Sequence, residues 1–170
     1  MNAPTRVFAG VVVASGVLTV SVVALEGMHL TPYRDVGGVW TVCAGVTGAL
    51  VIPGKTYTLP ECMEMTTGSI TKHANEVLAC TPTTRWKQHE FDAITSLAYN
   101  VGASTVCRSG LGDLLRANRM AEACTRIKSY SNVRVDGALR SCKDPVWNCR
   151  GVWLRRQAES NWCLTGQAPT

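Results

Sequence analysis

Residues 7–25 form an unbroken run of nineteen side chains without a charge, and the residue that ends the run is Glu26. As a helix at ~1.5 Å per residue the run is about 28 Å long, barely enough for a hydrocarbon core of ~30 Å. Eight valines with Phe8, Leu18 and Leu25 give it bulk, whereas Ala9, Gly10, Ala14, Ser15, Gly16, Thr19, Ser21 and Ala24 are small or weakly polar. At ~0.3–0.6 kcal/mol per bulky residue, insertion is favoured by roughly 3–6 kcal/mol at most, and the small polar residues erode that figure. Arg6 just before the run predicts a cytoplasmic N-terminus and an external Glu26.

Three uses of such a segment compete. Val22-Val23-Ala24 offers small residues for signal-peptide cleavage. A cut there would strip the turn of helix that holds Glu26. A permanent anchor is disfavoured by the weak hydrophobicity. A releasable signal anchor fits best: while the segment is inserted Glu26 is held at the membrane boundary, and extraction lets it fold into a cleft. The expected division is residues 1–25 as this segment and residues 26–170 as one domain.

Arg6 is the only charged side chain among residues 1–25, so +4 of the formal net charge of +5 falls on the domain. That modest excess favours approach to an acidic polymer by screened attraction. No Lys/Arg run with interleaved aromatics marks a nucleic-acid surface. Eight cysteines behind an export-type segment favour disulfides in an oxidising compartment, here the periplasm. Zinc would want a C-x₂₋₄-C pair, but the closest cysteines, Cys142 and Cys149, have six residues between them, and His29, His73 and His89 are scattered. No metal or organic cofactor is indicated.

Thr58-Leu59-Pro60-Glu61 carries a capping box and predicts a helix reaching Cys80. Phe91, Ile94, Leu97 and Val101 give residues 88–101 a core face. Residues 111–118, 120–129 and 151–163 complete a mostly helical second half, while residues 39–48 predict a strand and hairpin after a turn at 35–38.

Glu26, Asp35 and Thr41 surround that turn. Two carboxylates suit hydrolysis of a glycosidic bond, in which one protonates the leaving oxygen and the other activates water or attacks. The acid must keep its proton near neutral pH, which suits Glu26 as it leaves an apolar helix; Asp35 sits in a polar turn, and Thr41 could hold a water. By spacing alone a Glu and an Asp nine apart are common and usually solvated. A Cys–His nucleophile remains open by residue type, with disulfide pairing the safer use of Cys43. No nucleophile elbow, phosphate loop or dinucleotide fingerprint is present.

At these residues the chain resembles the phage-type muramidases of glycoside hydrolase family 24, in particular endolysins with a signal-anchor-release segment. The family pattern reads Glu26-Gly27, Asp35, Gly37/Gly38, Thr41, Gly45 and Thr47-Gly48, with further matches at Asp92-Ala93, at Tyr99-Asn100-Val101-Gly102 and over residues 151–159. The resemblance covers about residues 25–163. It implies an α+β, mostly helical, phage-lysozyme-like fold of two lobes: a small β-hairpin lobe, a long connecting helix and a helical C-terminal lobe, preceded by the membrane-inserting segment.

It also implies an endolysin that hydrolyses the β-1,4 bond between N-acetylmuramic acid and N-acetylglucosamine, with inversion. Glu26 would be the general acid, Asp35 the carboxylate that activates water, and Thr41 the residue that positions it. Tyr33 and Asn100 would contact substrate, and Arg155 would meet Glu26 from the helical lobe. The implied partners are peptidoglycan, the inner membrane through residues 7–25 and, through the family alone, a holin. The protein would be a monomer, held inactive at the inner membrane facing the periplasm and then released into it.

Val46 stands where the family often has a histidine, and no cysteine precedes Cys43, so activation would proceed by helix extraction and refolding rather than thiol exchange. The expected disulfides are Cys43–Cys62, Cys80–Cys107, Cys124–Cys163 and Cys142–Cys149, one of 105 full connectivities. The alternatives are a lytic transglycosylase, which needs the glutamate but no water-activating aspartate, and a non-catalytic wall-binding protein on the same fold.

Overall fold

A computed structural model describes residues 12–35 and 38–169. Residues 7–11 of the expected membrane segment, and Val36 and Gly37 of the expected turn, lie outside the described residues. The first helix, α1 (Gly16–Glu26), starts where the Ser15 hydroxyl accepts the Leu18 amide. It stops at Gly27, whose φ of 77° takes the chain out of the helix. Leu18 and Val22 on α1 are fully buried in the main core, so residues 16–25 pack in the same domain as the rest of the described chain. Burying each such side chain contributes ~1.5–3 kcal/mol. Among the described residues no helix is long and apolar enough to cross a membrane.

A three-stranded antiparallel sheet follows: β1 (His29–Arg34), β2 (Trp40–Cys43) and β3 (Val46–Thr47), in that order. The hairpin expected over residues 39–48 is β2–β3; β1 was not expected. Its Pro32 argues against a central strand, but β1 is at the edge, where a missing N–H is tolerated, and its pairing with β2 is irregular between His29 and Tyr33. Val42, Cys43, Val46, Val51, Tyr57 and Cys62 form the small lobe's core.

Helix α2 (Leu59–Cys80) leaves this lobe behind the Thr58–Glu61 capping box and buries Cys62, Thr66, Ile70, Ala74 and Val77, a three-to-four spacing that runs its length. It leads to α3 (Gln88–Val101), buried on every side from Glu90 to Ala98, with the shorter helices α4 (Ala103–Arg108), α5 (Gly110–Arg116) and α6 (Met120–Arg126) around it. The last helix, α7 (Arg150–Thr165), packs against α3.

Between α6 and α7 the chain adds a strand pair to the mostly helical second half that was expected. The expected helix over 120–129 gives way at Ile127 to a single 3-10 turn, and β4 (Asn132–Val135) pairs with β5 (Ala138–Ser141). Asp136 and Gly137 connect the two strands with φ of 48° and 79°, the left-handed pair that a tight two-residue hairpin requires.

The disulfides join Cys43–Cys62, Cys80–Cys107, Cys124–Cys163 and Cys142–Cys149. They tie β2 to α2, α2 to α4 and α6 to α7, and close the loop before α7. Each such closure typically adds ~2–4 kcal/mol by constraining the unfolded chain.

Candidate active site

Glu26 is the last residue of α1, and its side chain is about one-fifth exposed. From α7, Arg155 Nη1 donates to Glu26 Oε1. Opposite lies Gly45, in the β2–β3 turn with φ of 86°; a Cβ there would sit 3.7 Å from Glu26 Cδ and from Tyr99 Cε1. The turn is pinned to the helical lobe by the Tyr99 hydroxyl, which donates to Ala44 O at 2.7 Å. Burial pushes the Tyr99 phenol up to about 12, and the negative charge of Glu26 adds to the effect.

Asp35 follows β1 in a tight turn. Its backbone N–H donates to Val39 O, its carbonyl accepts from Gly38 N, and its carboxylate Oδ1 accepts from Val39 N at 2.9 Å. Arg34 braces the turn by donating to Gly38 O at 2.6 Å while its guanidinium lies 4.7 Å over the Trp40 ring. Thr41 is buried at the centre of the sheet, paired with Tyr33 on one side and Thr47 on the other. Its hydroxyl donates to Val39 O at 3.2 Å, which leaves the oxygen's lone pairs as acceptors.

Tyr33 links the parts. It pairs with Thr41 across the strands, and its phenol is pushed up by burial first and then by the charges of Glu26 and Asp35.

Two concavities flank this cluster. One, of about 600 Å³, is lined by Glu26, Asn100, Arg155 and the first turns of α7. The other, of about 930 Å³, lies on the small lobe between β3 and α2, with Thr47, Lys55, Lys72 and His73 on its walls. Among the described residues no three His, Cys, Asp or Glu side chains are grouped to hold a metal.

The structure thus brings Glu26, Asn100 and Arg155 to one concavity, while Tyr33 and Thr41 pair across β1 and β2 and Asp35 follows β1. Asn100 Oδ1 accepts from Arg156 Nη2 at 3.0 Å, an intramolecular role that the sequence did not indicate. Also unanticipated is the fully buried Glu159, whose Oε1 accepts from Arg155 Nε at 3.0 Å and from Ser96 Oγ at 2.8 Å. The Arg155/Glu159 spacing of four on a helix was the available signal.

The Phage lysozyme family model matches residues 23–159. The SAR-endolysin of Enterobacteria phage P21 is 32% identical over 145 residues, covering 84% of this chain and 79% of the relative. The SAR-endolysin of Pseudomonas phage phiKMV is 30% identical over 165 residues, 96% of this chain and 93% of its own length. Among solved structures, an endolysin from Escherichia coli O157:H7 phage FAHEc1 superposes with a TM-score of 0.82 at 21% identity, covering 95% of this chain and 99% of that one.

Proposed function

The chain belongs to the phage lysozyme family, and on that premise we propose that Glu26, Asp35 and Thr41 carry its chemistry. A phage-type lysozyme is an endolysin, a muramidase whose substrate is peptidoglycan. In the proposed reaction Glu26 gives its proton to the glycosidic oxygen, which leaves on N-acetylglucosamine as a hydroxyl. A water attacks the anomeric carbon of N-acetylmuramic acid and yields its proton to Asp35, while the Thr41 oxygen accepts a hydrogen bond from that water. Tyr33 and Asn100 border the cleft as substrate contacts.

The observation that carries this reading is Glu26 itself, which ends α1, lines a concavity with Asn100 and pairs with Arg155 from the helical lobe. A positioned base contributes ~10²–10⁴-fold, so Asp35→Asn should lower the rate of reducing-end release from purified peptidoglycan by at least a hundredfold. A D35N enzyme within a few-fold of wild type would overturn the assignment.

The N-terminal segment has a second state in this reading. The relatives are named SAR-endolysins, and residues 1–25 here serve the same purpose: residues 7–25 hold the monomeric protein in the inner membrane, N-terminus inside, until a holin or another depolarising agent frees it into the periplasm. Leu18 and Val22 cannot be in lipid and in the core at once. The inserted protein therefore lacks α1 as a packed helix, and Glu26 is away from Arg155.

A further inference from the structure

We propose that Glu159 is a positioning residue for this reaction: it fixes the Arg155 guanidinium against Glu26 and balances the two arginines buried behind the catalytic acid. The inference rests on Glu26 being that acid.

Arg155, Arg156 and Glu159 stand at positions i, i+1 and i+4 of α7, so both arginines can reach one carboxylate. Arg156 and Glu159 are fully buried and Arg155 nearly so. Glu159 Oε1 accepts from Arg155 Nε at 3.0 Å and from Ser96 Oγ at 2.8 Å, and its Oε2 lies 3.1 Å from Arg156 Nε, close enough for charge attraction although that N–H is not aligned as a hydrogen bond. Arg156 also donates to Asn100 on the cleft wall.

A guanidinium is a rigid plane, so fixing Nε fixes where Nη1 can go. The Nε edge of Arg155 meets Glu159 and its Nη1 meets Glu26. Ser96, on the central helix α3, holds Glu159 in turn. The chain Ser96–Glu159–Arg155–Glu26 thus runs from the best-packed helix of the fold to the acid.

The charges agree with the geometry. With Glu26 ionised, two arginines and two glutamates cancel; with Glu26 protonated the cluster carries one net positive charge, and without Glu159 it would carry two. Burial opposes the charged form of Arg155 and of Arg156, and in each case Glu159 is the strongest attraction working against that penalty. Arg156, despite it, is pulled down to about 10.

The test uses the released full-length enzyme on purified peptidoglycan, with apparent kcat and KM from reducing-end release and folding followed by thermal melts. Glu159→Asp keeps the charge and shortens the reach. Glu159→Met removes both the charge and the acceptor at nearly the same length, and Arg156→Gln with Glu159→Met restores neutrality without restoring the partner of Arg155 Nε. A misplacement of ~1 Å can cost about a hundredfold, so kcat should fall ten- to a hundredfold in E159D and in the double variant, with KM little changed.

The double variant should also recover much of the Tm lost in E159M while its kcat stays low. Wild-type kcat in E159D, or recovery of kcat together with Tm in the double variant, would reduce Glu159 to a structural counter-ion and overturn the proposal. A fully active Glu26→Gln enzyme would instead strike the acid assignment on which it rests.

Discussion

The two faces of α1 answer to different environments, and substitutions on them should separate. Leu18 is completely buried in the main core, whereas Val20, two residues on, is 67% exposed in the folded domain. In a membrane both would face lipid. Leu18→Ala removes three heavy atoms from a packed site, a change that costs ~2–5 kcal/mol according to how far the cavity collapses. At ~3 kcal/mol, and ~2–4 °C per kcal/mol for a domain of this size, Tm should fall by roughly 6–12 °C. Val20→Ala should change stability by no more than ~0.5 kcal/mol, about 1–2 °C.

The cost in lipid is small for both, because a bulky apolar residue favours insertion by only ~0.3–0.6 kcal/mol. Thermal melts of the released enzyme, beside the fraction remaining in membrane pellets over time, read the two effects separately. Both variants should leave the membrane slightly faster, and only Leu18→Ala should melt early. Equal Tm values for the two variants would refute the packing of α1 described here.

Three further outcomes follow. Asp92 accepts from both the amide and the hydroxyl of Ser15, at 3.3 and 2.6 Å, and so seats the start of α1; Ser15→Ala should cost ~1 kcal/mol in melts, as N-cap losses do. Glu61 is held down from its ordinary 4.5 to about 2, first by the hydrogen bond from Lys55 and then by those from Thr58. Its folded value lies below its unfolded one, so its contribution is full above about pH 4.5 and is lost as pH falls towards 2. The Tm advantage of wild type over Glu61→Gln should shrink across that window. Gly45→Ala places a side chain at a φ of 86° beside Glu26 and Tyr99; strain of ~1–3 kcal/mol should appear in melts, with a drop in kcat from displacement of the turn.

What could be read in the sequence was what rests on local rules. The Thr58–Glu61 box starts α2 at the expected residue, and α3 has the expected ends because its apolar phase is strong and Gly102 closes it. Of the cysteine pairs only Cys142–Cys149 had a local signal, a short loop that contains Pro and Asn. Three strands were not foreseen, for two different reasons. For β1, Pro32 breaks the strand signal, and its edge position makes the proline harmless. The β4–β5 hairpin carries a clear signal, Val133-Arg134-Val135-Asp136-Gly137, in a stretch between the expected helices over 120–129 and 151–163 to which no element was assigned. Around Glu26, the role of Arg155 rested on resemblance. Glu159 and Ser96 are 63 residues apart, and their contact depends on how α7 docks on α3, which no local pattern encodes.

The central claim, hydrolysis through Glu26, is tested most directly by mass spectrometry of the fragments that wild type and Glu26→Gln release from purified peptidoglycan. Reducing N-acetylmuramic acid ends from wild type, and none from the variant, are the predicted result. Anhydro-muramic ends from wild type, or equal release by both proteins, would contradict it.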